Sequence, residues 1–107
     1  MIKSHNVRKF TNLISLFIIG KISAVEFEHK YLQLFKNDQT NHSKQLFLVL
    51  DKLFGDVDAF CPDPMLRDEF DLDEQALQHA CVEALEMLNL ILPQKTVTKI
   101  KKVAIIA

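Results

Sequence analysis

The stretch Ser43–Phe60, SKQLFLVLDKLFGDVDAF, decides the fold. Its apolar residues Leu46, Phe47, Leu50, Leu53, Phe54, Val57 and Phe60 recur at steps of three and four. That spacing lines one face of a helix, and the period of two in a strand cannot produce it. The pattern runs on through Gly55, which a helix tolerates at a cost of about 1 kcal/mol. A helix with one apolar face must bury that face against other elements.

Upstream, Asn37–His42 is polar throughout and reads as an exposed connection. Before it, Ser23 and Glu26 form a capping-box pair that predicts a helix start, with Ala24, Phe27, Tyr31, Leu34 and Phe35 facing inward and an end near Phe35. Gly20 offers a left-handed stop to a preceding helix, predicted over Val7–Ile19 with Phe10, Leu13, Ile14, Phe17 and Ile18 on its inner face. Downstream, Pro62 and Pro64 force a loop, because each lacks an amide hydrogen and restricts the residue before it. Asp71 and Glu74 repeat the capping pattern ahead of a fourth helix, whose face is Leu77, Cys81, Ala84, Leu85, Leu88 and Leu92 and which ends near Pro93.

Four amphipathic helices with short links predict an all-α, single-domain antiparallel four-helix bundle with an acidic loop between helices three and four. Composition agrees: two glycines and three prolines in 107 residues are too few turn formers for a β-rich domain, and 49% apolar with 25% charged residues is the balance of a folded chain. Residues 1–92 form the helical domain. Residues 93–107, in which Lys95, Lys99, Lys101 and Lys102 precede an apolar end, form a separate tail, either disordered or accessory.

The apolar run Leu13–Ile19 is far shorter than the ~20 residues of a membrane span. The Gly20-Lys21-Ile22 just after it lacks the small-residue pattern of a signal-peptide cleavage site. A cytoplasmic protein without membrane contact is expected, with Cys61 and Cys81 as free thiols.

Net charge conceals a division. The chain carries −1 overall, yet residues 1–50 hold seven basic and three acidic residues, residues 51–92 hold two basic and eleven acidic, and the tail adds four lysines. Within the acidic part, Asp56, Asp58, Asp63, Asp68, Glu69, Asp71, Asp73 and Glu74 crowd into positions 56–74. Two of them suffice to complement the start of helix four, at ~0.3 to 1 kcal/mol each, and the others repel one another unless a cationic partner is present. These carboxylates are therefore candidate binding residues for a basic partner. Phe60, Met65 and Phe70 are candidate apolar anchors, although burial between helices three and four is the expectation for Phe60 and Phe70.

Other chemistry finds little support. An EF-hand beginning at Asp56 would require Gly and Glu where Cys61 and Arg67 stand. His5, His29, His42 and His79 are scattered, none at zinc-ligand spacing to a cysteine, and are expected at the surface or partly buried. No base lies near Cys61 in sequence, and an acidic cluster without a pocket or glycine loop is a poor hydrolytic site. The dispersed Lys3, Arg8, Lys9 and Lys21 lack the aromatic interleaving of a nucleic-acid surface. The chain is expected to be a binding protein and not an enzyme, without metal or cofactor and without direct nucleic-acid contact.

LFGDVDAFCPDPMLRDEFDLDEQ at Leu53–Gln75 and FIIGKISAVEFEHKYLQLF at Phe17–Phe35 resemble the colicin D type immunity family, over roughly Leu13–Leu88. The family includes immunity proteins of bacteriocins and of contact-dependent growth inhibition systems. The resemblance implies a small helical bundle whose partner is a transfer-RNA-cleaving toxin domain, with carboxylates standing in for RNA phosphates in its catalytic cleft. The toxin-binding residues it implies are Asp56, Asp58, Asp63, Asp68, Glu69, Asp71, Asp73 and Glu74, to which Met65 is added as an anchor. The sequence departs from the family pattern in its lysine-bearing tail and in the apolar and proline residues of Phe60–Pro64. The alternative reading is a small helical adaptor or regulatory protein that binds some other basic protein.

Overall fold

The computed structural model describes the backbone of residues 2–92 and the side chains of residues 7–92. Four α-helices occupy the described residues: α1 Ile2–Ile18, α2 Ala24–Asn37, α3 Lys44–Asp58 and α4 Glu74–Ile91. Each packs chiefly on two others, α1 on α2 and α4, and α3 on α2 and α4. Gln78 near the start of α4 donates to the carbonyl of Ile18 at the end of α1, 3.1 Å away, so these two run in opposite directions. The result is the expected antiparallel bundle. The expectations for the tail lie outside the described residues.

The helix boundaries obey local chemistry. α1 begins at Ile2 and not near Val7, since no Gly or Pro interrupts the chain before Gly20. Gly20 sits at φ +82°, and its amide and that of Lys21 reach back to the carbonyls of Phe17 and Leu16, the left-handed helix stop that favours glycine. The Ser23 hydroxyl accepts from the Glu26 amide at 3.0 Å, while the Glu26 carboxylate turns to Lys30 at 3.1 Å, so half of the predicted capping box is made. Ser43 caps α3 in the same way through the Leu46 amide.

At α4 the expected cap is corrected: Asp73 and not Asp71 accepts from the helix, through the Ala76 amide at 2.8 Å. Leu72 is held extended in a parallel bridge to Phe60, which delays the helix until the bridge is passed.

The core is made of the predicted stripes. Phe10, Ile14, Phe27, Tyr31, Leu50, Leu53, Val57, Leu77, Cys81 and Leu88 are fully buried, with no charged residue among them. Stacked or edge-on rings, Phe17 on Phe27 at 4.9 Å and Phe10 on Tyr31 at 5.6 Å, join α1 to α2. The Tyr31 hydroxyl meets its need for a partner by donating to the carbonyl of Leu50 at 2.8 Å, which ties α2 to α3. Phe47, expected inward, is half exposed, because the apolar arc of α3 from Leu46 to Leu50 is wider than its neighbours can cover.

At the end opposite Gly20, the His42 side chain is more deeply buried than the surface or partly buried placement expected of it. It is packed edge-on to Phe10, with Nε2 2.5 Å from the Asp38 carboxylate. Among the described residues its Nδ1 has no hydrogen-bond partner.

Candidate functional site

The segment between α3 and α4 leaves the bundle through a narrow neck. α3 ends at Asp58, Ala59 caps it, and Phe60 drops back into the core. The Cys61 amide then donates to the Leu72 carbonyl at 2.9 Å and the Leu72 amide to the Ala59 carbonyl at 2.8 Å. Residues 61–71 project from this pinch at the end of the bundle that also carries the Gly20 turn.

The projecting loop is braced by its own acids. Asp63 accepts the Met65 amide on its carboxylate at 2.9 Å, and its carbonyl takes the amides of Leu66 and Arg67. Asp68 accepts the Phe70 amide at 2.9 Å, and Asp71 accepts the Asp68 amide at 3.1 Å. Such side-chain-to-backbone closures two or three residues apart are the usual business of aspartate in turns. Among the described residues, each leaves one carboxylate oxygen without a partner.

Arg67 is the loop's cation, and among the described residues its guanidinium forms no ion pair with these acids. Its Nε donates to the Cys61 carbonyl at 2.9 Å and its Nη2 to the Pro62 carbonyl at 3.3 Å. The guanidinium therefore fastens the loop to its own base.

The nine residues singled out from sequence fall into three groups. Asp58, Glu69 and Glu74 are exposed and, among the described residues, have no hydrogen bond or ion pair; Asp63, Asp68 and Met65 are exposed in the loop. Asp71 and Asp73 are half-buried and hold loop and helix backbone. Asp56 stands apart: it pairs with Lys52 at 3.1 Å and lines a groove between α3 and α4. Asp58 lies in the last turn of α3, where the helix dipole is already negative, an arrangement that costs rather than contributes stability.

Phe70 overturns the expectation of burial. It is 79% exposed, with Met65 at 88% and Leu66 at 74%, so three large apolar side chains stand in water on the loop. The Phe60–Leu72 neck is the reason, because it closes the core below them. Leu66 is a third exposed apolar side chain on the loop, one that the sequence reading did not single out. A signal for it exists: it falls between Pro62 and Asp71, outside any helical period, where no core can receive it.

Among the described residues no group of three or more His, Cys, Asp or Glu side chains is arranged to hold a metal ion. None of the helices is long and apolar enough to cross a membrane. Cys61 is free and partly exposed, and Cys81 is free and buried, its thiol pushed up to about 12 by burial and by the nearby Asp56 charge.

Residues 6–88 match the family model described as bacterial self-protective colicin-like immunity, a span that takes in α2, α3, the loop and most of α1 and α4. No curated protein and no solved structure matches the chain.

Proposed function

The chain belongs to the bacterial self-protective colicin-like immunity family, and from that membership we propose that it neutralises a nuclease toxin, of the transfer-RNA-cleaving kind, by covering its basic active-site cleft with the acidic end of the bundle. An immunity protein acts by binding its toxin, and no reaction is required of it. The family match favours this reading over that of an adaptor for another basic protein.

An RNA-cleaving site must present cations to hold phosphates and to stabilise the charge that develops at the scissile phosphorus. Asp58, Glu69 and Glu74, exposed and without partners, together with the free oxygens of Asp63 and Asp68, offer such cations an alternative set of anions. Arginines in the cleft would make paired, charge-assisted hydrogen bonds to them. Met65, Leu66 and Phe70 supply apolar contact of the sort that dominates interface energy. Asp71 and Asp73 support the display and Asp56 lies at its margin.

The observation that carries the reading is the orientation of Arg67. Because it donates to two backbone carbonyls and pairs with no loop carboxylate among the described residues, most of the loop's negative charge is left for a partner to meet. Cytoplasmic residence is part of the reading, since a toxin that cuts transfer RNA must be met where that RNA is.

Co-expression with a transfer-RNA-cleaving toxin of the proposed class, beginning with any encoded by an adjacent gene, tests the function, and growth of the cells is the expected result. The site is tested by Asp58→Asn, Glu69→Gln and Glu74→Gln together, which touch no loop hydrogen bond. The association rate, expected toward ~10^8 to 10^9 per molar per second at low salt for the parent, should fall and lose its salt dependence. A triple variant with the parent's rate at every salt concentration would remove the acidic end from the interface.

A further inference from the structure

On the flank of the bundle, α3 and α4 leave an open groove of about 490 Å³. Leu53 and Ala84 lie buried on its floor, while Leu48 of α3 and Met87 of α4 stand about half in water. The polar side chains in its lining, Lys52, Asp56, Glu83 and Glu86, are all charged. An apolar strip with a charged rim marks a place of contact with another protein. On α3 the groove runs from Leu48 to Asp56, about 12 Å at about 1.5 Å per residue, or a little over two turns. A docked helix covers that length with the apolar residues i, i+3, i+4 and i+7 of one stripe.

Charge on the rim is unevenly met. The Lys52 ammonium sits 3.1 Å from the Asp56 carboxylate, so these two cancel within α3. The α4 lip keeps Glu83, which meets His79 at 3.6 Å with both side chains largely in water, and Glu86, which has no ion pair or hydrogen bond among the described residues. The occupant that suits this groove is therefore apolar on one face and cationic along the edge that lies over α4. A second copy of the chain docked flank to flank suits it less, because it would add the same carboxylates to a rim already in excess of acid.

We infer that the α3/α4 groove binds an amphipathic α-helix of a partner protein, with the helix's apolar stripe on Leu48, Leu53, Ala84 and Met87 and its lysines or arginines over Glu83 and Glu86. The groove adjoins the acidic end of the bundle, since Asp56 both lines it and opens the crowded acidic segment. A toxin that must hold RNA phosphates is basic, and it is the partner that presents such a helix while its cleft meets the loop. In naming the toxin the inference rests on the function proposed above, whereas capture of a basic amphipathic helix by the groove stands without it.

The probe is a dye-labelled peptide of about 14 residues, marginal as a helix on its own, with leucines at i, i+3, i+4 and i+7, lysines along one edge, and alanine and glutamine elsewhere. Mixed with the full chain it should gain helical circular dichroism and fluorescence anisotropy. Affinity should fall about tenfold in Leu48→Lys/Met87→Lys, and about fivefold in Glu83→Gln/Glu86→Gln at low salt, with the second loss vanishing at high salt. All four substitutions are at exposed positions, and an unchanged melting curve certifies the fold. Glu69→Gln/Phe70→Ala, on the loop, should bind the peptide as the parent does. The proposal is overturned if the full chain does not bind the peptide, or if a scrambled peptide of the same composition binds equally well. It is also overturned if the loop variant loses the peptide while the groove variants keep it, or if the free chain sediments as a dimer that Leu48→Lys/Met87→Lys dissociates, which would give the groove to a second copy. Peptide binding at the groove together with failed rescue in co-expression would uphold the helix site and remove the toxin as its partner.

Discussion

Phe60 and Leu72 are paired as a single parallel bridge across the base of the acidic loop, with the amides of Cys61 and Leu72 donating in opposite directions across it. The base of the loop thus depends on two hydrogen bonds and one buried ring, not on the helices alone. Leu72→Pro deletes the amide that reaches the Ala59 carbonyl, a loss of about 1 kcal/mol. We expect the Cys61 amide to exchange its hydrogen several-fold faster while amides of Leu50 and Leu53 keep their protection. Toxin dissociation should quicken in parallel. Uniform loss of protection through α3 would mean that the neck is not a separate unit.

The helices are legible in the sequence because their signals are local. Steps of three and four place Leu46, Leu50, Leu53 and Val57 on one face, and Gly20 and Ser23 mark a stop and a start that the backbone obeys. The cap of α4 lies two residues beyond its expected place because what decides it, the pairing of Leu72 with Phe60, joins residues from separate elements. Phe70 escapes the core for a related reason: hydrophobicity predicts burial only where a periodic element carries the side chain inward, and the loop has no period. The acidic cluster is visible as composition, but its division of labour is not. Asp63 and Asp68 each close a turn onto the residue two places on, and that role requires backbone geometry.

The two thiols should differ sharply. Cys81 is fully buried beneath α4 with its thiol pushed up to about 12, so at pH 8 roughly one molecule in ten thousand carries the reactive thiolate. Cys61 is partly exposed in the loop, its sulfur 3.6 Å from the Asp63 carbonyl. Titration of the native protein with a disulfide dye should release one equivalent quickly and the second only on addition of denaturant. Rapid release of two equivalents from the folded chain would contradict the packing around Cys81.

Asp38 gives the bundle a dependence on acid. Burial raises its carboxyl pKa, but the hydrogen bonds from His42 and Thr40 outweigh that effect and leave it below the ordinary carboxylate range. A depressed folded-state pKa adds stability that is fully present above the unfolded value of about 3.9 and is lost as pH falls through the folded value. Asp38→Asn should therefore cost about 1 to 2 kcal/mol in urea denaturation at pH 6. The gap between variant and parent should close as the pH drops below 4. A gap that persists at pH 2.5 would assign the effect to shape and not to charge.

Charge and apolar contact at the loop should separate kinetically. Carboxylates act over a Debye length of about 8 Å at physiological salt and so govern encounter, whereas Met65, Leu66 and Phe70 act only on touching and govern release. Their exposure means that truncation removes no core contact, so Met65→Ala/Phe70→Ala should melt within about 0.5 kcal/mol of the parent. In stopped-flow and dissociation measurements against the toxin, the double variant should associate at the parent's rate. It should dissociate at least tenfold faster, since each anchor truncated at an interface centre typically costs more than about 1 kcal/mol. The neutral variant of Asp58, Glu69 and Glu74 should do the reverse, slowing association with the smaller effect on release. If the apolar double variant leaves dissociation unchanged, these side chains face solvent in the complex, and the contact is made by the carboxylates without an anchor.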